Sequence, residues 1–133
     1  VPGMAAQKWG RIVNIGSVVS VTALPFGGAY SASKAAIHLL SDALRMELAP
    51  FGIGVLEVQP GAIRSRFGDN AARGVDRYGR EDSLYQPIAR FIEGRARASQ
   101  GDPSPPEELA RRVADATLRS NPPAVLRYGK NSF

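Results

Sequence analysis

Residues 11–48 read RIVNIGSVVSVTALPFGGAYSASKAAIHLLSDALRMEL, and the fold follows from how this stretch divides. Ile12, Val13 and Ile15 close on Gly16-Ser17, so Arg11–Ser17 is expected to be a strand buried on both faces of a parallel sheet. A loop, VVSVTALPFGGA, comes next. Good helix formers then run from about Ala29 to Ala49, and Pro50 with Gly52 ends them. Tyr30 and Lys34 stand in the first turns of this helix. Residues four apart project from the same face, with Cβ atoms roughly 6 Å apart. A cation beside a phenol favours the phenolate, so the pair is an expected general acid/base. Ser17 precedes Tyr30 by 13 residues, at the carboxyl end of the strand, where open parallel sheets bind ligands.

Beyond the helix, Ile53–Gln59 reads as a second buried strand, joined to the first by a right-handed crossover. It runs into Pro60-Gly61-Ala62-Ile63-Arg64-Ser65. From Arg64 to Gln86 the composition shifts to Arg, Gly, Asp and Asn with few apolar anchors, the mark of a loop or short helices. A helix is expected from about Leu84 to Ser99, with Ile88, Phe91 and Ile92 on one face. Ser104-Pro105-Pro106-Glu107 reads as an N-cap followed by a first-turn proline. The helix it opens should run to about Ser120 and bury Leu109, Val113, Ala116 and Leu118. Ala124–Tyr128 reads as a third strand, and Val1–Trp9 as the tail of a helix. The order is that of an α/β, doubly wound parallel sheet of about three strands with covering helices.

The long helix is apolar on more than one stripe, through Ile37, Leu39, Leu40, Ala43, Leu44, Met46 and Leu48, so it is expected to pack on two sides. Among 133 residues there is no cysteine, which excludes disulfides and thiolate chemistry. His38 is the only histidine, and with no cluster of ligands around it no metal site is expected. The net charge of +5 comes mostly from arginines scattered between Arg64 and Arg127, not interleaved with aromatics, so no nucleic-acid partner is expected. No apolar run approaches a membrane span, and a soluble, cytoplasmic protein is the expectation.

The strand ending in Ser17, the Tyr-x-x-x-Lys of Tyr30 and Lys34, the second strand and the Pro-Gly-x-Ile-x-Ser of Pro60 to Ser65 together resemble the short-chain dehydrogenases and reductases. That resemblance implies a Rossmann-type fold, NAD(P) as cofactor with NADPH favoured, and a carbonyl or alcohol substrate. It makes Ser17, Tyr30 and Lys34 catalytic, and it gives Tyr30, Lys34, Pro60, Gly61, Ile63 and Ser65 to the cofactor. Family strands often read Asn-Ile-Ser-Ser, where Gly16 here replaces the first serine. No glycine-rich phosphate turn follows any strand, so residues 1–133 are expected to form the C-terminal, catalytic half of one such domain. The dinucleotide-binding half would then lie N-terminal to them.

The run SDALRMELAPFGIGVLEVQPGAIRSRF looks most like reductases of 1-acyl dihydroxyacetone phosphate and their hydroxysteroid or retinoid relatives, which implies a lipophilic ketone or alcohol. Arg64 and Arg66, suited to an anionic head group, and Phe67 are the expected substrate contacts in a loop over 64–86. The family also implies a homodimer or homotetramer through the helix at 29–49. The competing expectation is a non-catalytic dimerisation module.

Overall fold

The computed structural model describes residues 1–132. A short helix α1 (Pro2–Ala6) leads into strand β1 (Gly10–Ile15), and the long helix α2 (Gly28–Leu48) into β2 (Ile53–Pro60). Two short helices, α3 (Phe67–Ala72) and α4 (Ala89–Arg97), precede α5 (Pro106–Leu118) and β3 (Val125–Tyr128). The strands form one parallel sheet in the order β1-β2-β3, with Ile12 opposite Val55 and Val58 opposite Leu126. The outer edge of β1 is unpaired among the described residues. This is the doubly wound arrangement expected, and no helix in it is long and apolar enough to cross a membrane.

Strand β2 is central, and alternation along it sends side chains to two different layers. Ile53 and Val55 meet Leu48 of α2, with Met4, Ile12 and Leu44 around them. Leu56 and Val58 face the opposite way, against Ala116 of α5, with Val13, Leu109 and Val113 alongside. Glu57 and Gln59 share the parity of Val55, and both are fully buried.

That parity corrects the expected character of α2. Much of its sheet-facing stripe is hydrogen-bonded: Ser41 is buried and accepts from Asn14 Nδ2 at 2.9 Å, and His38 Nδ1 lies 2.6 Å from Glu57 Oε2. Arg45 donates to the Val55 and Ala124 carbonyls. Leu39, Leu40 and Met46 are exposed, Met46 at 73%. The helix ends as expected, with a 3-10 turn over 49–51 and Gly52 in the left-handed region at φ 70°, where a side chain would strike the Lys8 carbonyl.

The C-terminal elements depart from expectation in three places. Pro87 falls in a separate 3-10 turn over 86–88, and of the expected apolar face only Ile92 is buried, because the short α4 has a single sheltered side. Ser104 is not a cap. Its backbone bridges to the turn after β2, its hydroxyl accepts from the Lys130 amide, and Pro105 takes the N-cap position. Helix α5 stops at Leu118, which is 81% exposed in the last turn, beyond the contact with β2.

Candidate functional site

A cavity of about 790 Å³ opens where β1 and β2 end. Ser17, Tyr30 and Lys34 line it, as do Pro60, Gly61, Ile63 and Ser65 from the turn after β2, and Phe67 from α3. The structure therefore brings together the residues that the two motifs put forward.

Each catalytic candidate is held by local geometry. Ser17 is buried and caps a 3-10 turn over 18–21; its Oγ accepts from the Val19 amide at 3.4 Å, which leaves its own proton free to donate. Ser20 Oγ donates to the Ser17 carbonyl at 2.6 Å and fixes the bend where the chain leaves the sheet. Lys34 Nζ donates to the Ile15 carbonyl at 2.9 Å and sits 5.9 Å from the centre of the Tyr30 ring. The Tyr30 ring leans on Phe67 at 5.3 Å. Its hydroxyl has no hydrogen-bond partner among the described residues.

The turn after β2 is built from the opposite direction. The amides of Gly61, Ala62 and Arg64 are taken by the carbonyls of Tyr128, Lys130 and Ser104. Gln100 clamps the same turn: its Oε1 accepts from the Ser65 amide and its Nε2 donates to the Ile63 carbonyl, each at 3.0 Å. Among the described residues nothing accepts from the Ile63 amide, which therefore fits a ligand carbonyl such as a nicotinamide carboxamide. Gly61 has no room for a side chain, because a Cβ would overlap the Lys130 carbonyl. Gly61→Ala is expected to lower unfolding stability by about 1–3 kcal/mol, as overpacking does, measurable by urea titration.

Arg64 and Arg66 do not join the cavity. Ile63 and Ser65 line it, whereas both arginines are exposed outside it, and Arg64 pairs with Glu107 of α5 at 3.6 Å. Arginines from farther on, Arg73, Arg77 and Arg95, line the cavity instead.

Other contributors had no motif to reveal them. Gln100 comes 35 positions after Ser65, with no local pattern. Phe26 sits at φ 59° and makes edge contacts with Tyr78 and Tyr85, with ring centres 6.3 and 5.6 Å away, tying the 64–86 segment to the approach to Tyr30. Glu57 lies behind the site. Its Oε2 meets His38 and Gln59, while its Oε1 has no partner among the described residues and occupies the space a side chain on Gly16 would need.

Known proteins resemble this chain in sequence and fold. Residues 1–75 match the family model described as short chain dehydrogenase. The chain is 34% identical over 126 residues to the short-chain dehydrogenase RED1 of Pyricularia oryzae, a match that covers 95% of this chain and 44% of that protein. It is 37% identical over 84 residues to the NADPH-dependent 1-acyldihydroxyacetone phosphate reductase of Schizosaccharomyces pombe, covering 62% of this chain and 28% of that one. Among solved structures, a short-chain dehydrogenase from Streptomyces avermitilis superposes with a TM-score of 0.73 at 31% identity, over 96% of this chain and 45% of its own. The chain thus spans less than half the length of these relatives. With its motifs gathered around one cavity and more than half its length matched by the family model, the chain belongs to the short-chain dehydrogenase family.

Proposed function

We propose that the protein carrying this chain is an NAD(P)-dependent oxidoreductase, with NADPH favoured, acting on a lipophilic ketone or alcohol. The observation that supports it is the free Tyr30 hydroxyl, placed with Ser17 and Lys34 on a cavity whose other lining is the turn with the open Ile63 amide. Pro60, Gly61, Ile63 and Ser65 would hold the nicotinamide end of the cofactor. The relatives extend well beyond the match, and the remaining dinucleotide would be held by the part of the fold that lies outside it. When bound, the nicotinamide supplies hydride to a carbonyl carbon or takes it from an alcohol carbon.

The chain's own residues then handle the oxygen and the proton. Ser17 donates its free proton to the substrate oxygen as a hydrogen bond. Tyr30 gives that oxygen a proton in reduction and takes one back in oxidation. Lys34, with one N–H on the Ile15 carbonyl, is held on the same cavity as the phenol, 5.9 Å from the ring centre, with its other N–H bonds open to substrate or cofactor. Phe67, Phe26 and Tyr78 present apolar surface to the rest of the substrate, with Tyr85 packed against the latter two. Leu39, Leu40 and Met46 of α2 offer an apolar face to a second copy in a homodimer or homotetramer.

The test is NADPH oxidation, followed by absorbance, with medium-chain ketones and the protein made from its complete reading frame. Lys34→Ala is expected to lower kcat by about 10²-fold or more, in the range of general acid/base contributions. Absence of both NADPH binding and turnover of any ketone or alcohol would favour the non-catalytic dimerisation module, which lacks the cofactor-binding half.

A further inference from the structure

We propose that Arg73, Arg77 and Arg95 form a site for an anionic group, phosphate or carboxylate, carried on an apolar carbonyl substrate; this rests on the hydride-transfer reading of the same cavity. The lining is sorted by sign. It includes Lys34 at the catalytic end and these three arginines, and it includes no aspartate or glutamate. The acids of the surrounding segment are turned elsewhere: Asp69 pairs with Arg97, Asp82 with Arg80, and Asp76 and Glu93 line a separate depression. Among the described residues, no carboxylate lies within ion-pairing distance of Arg73, Arg77 or Arg95.

Two further features point to an oxyanion. Arg95 is partly buried in the cavity wall, and among the described residues its guanidinium makes no hydrogen bond or ion pair. Donors left unpaired in a partly buried group are disfavoured, and a ligand oxygen in the cavity would satisfy those of its terminal nitrogens. Arg77 donates to the Tyr78 hydroxyl at 2.9 Å and lies over that ring, 4.9 Å from its centre, which steadies its planar group and leaves its other N–H bonds available. Guanidinium groups match the paired oxygens of phosphate and carboxylate. The same cavity is also lined by Phe26, Phe67, Val75 and Ile92. A molecule with an acidic end, an apolar body and a carbonyl suits a lining that combines arginines, apolar side chains and Tyr30.

The test uses the protein from its complete reading frame and three ketones of equal chain length that end in phosphate, carboxylate or hydroxyl. Arg95→Ala is expected to raise KM for the acidic ketones about 10- to 100-fold, the loss of one charge-assisted hydrogen bond, with kcat and the hydroxyl-ended ketone little changed. Arg95→Lys should recover part of the loss. An equal change on all three ketones, a change in KM for NADPH alone, or no change overturns the proposal.

Calorimetry with octyl phosphate, inorganic phosphate and octanol separates this result from the catalytic reading. Arg95-dependent binding of octyl phosphate, stronger than that of inorganic phosphate and weakened by salt, is expected. Equal binding of inorganic phosphate would make this a free-phosphate site and overturn the substrate assignment. If no ketone turns over yet octyl phosphate binds through Arg95, the hydride-transfer reading fails and the anion site stands. If ketones turn over without regard to charge, the anion site fails alone.

Discussion

Tyr30→Phe, introduced into the protein made from its complete reading frame, is expected to cut turnover by on the order of 10²–10⁴ while leaving the fold intact. The substitution removes one hydroxyl that has no partner among the described residues, and it keeps the ring that leans on Phe67. Stability and proton transfer are therefore separable here. Steady-state NADPH oxidation alongside a thermal melt checks both, and near-normal turnover in Tyr30→Phe would overturn its role as the proton donor.

The second large effect concerns stability. Glu57 is fully buried on the central strand, with His38 and Gln59 sharing one carboxylate oxygen and, among the described residues, nothing on the other. Removing His38 leaves that carboxylate with Gln59 alone. His38→Ala is accordingly expected to destabilise by on the order of 3 kcal/mol, as breaking a buried pair does. Replacing both partners, as His38→Leu with Glu57→Leu, should recover most of the loss, because the desolvated group goes as well. Urea unfolding of His38→Leu, Glu57→Leu and the double variant closes the cycle. A fully additive double variant would mean that the pair is not a unit.

The strands and the gathering of Ser17, Tyr30 and Lys34 on one cavity were legible because their signals are local. Continuous apolar runs named β1 and β2, and Tyr30 and Lys34 needed only helical spacing to share a face. What the sequence concealed depends on parity and on distant neighbours. An apolar count along α2 does not show that β2 presents Glu57 and Gln59 to it, so the polar stripe through His38, Ser41 and Arg45 came only with the register. Arg64 and Arg66 looked right by position, yet both are exposed outside the cavity, and Arg64 is turned to Glu107 of α5. Gln100 and Arg95 reach the site from helices whose placement no local pattern specifies. Ser104 carried a plausible capping pattern, but the bridge to the turn after β2 claimed its backbone.

The Glu57 carboxylate beneath Gly16 also bears on how this strand end can change over generations. A serine at position 16 would put its Cβ on a carboxylate oxygen, so accepting it requires the Glu57 side chain to shift. The other oxygen of that carboxylate is held by His38 and Gln59, so the shift works against those two bonds. Position 16 can therefore grow only together with a rearrangement at 57 and 38, and the three positions are coupled in what they can become.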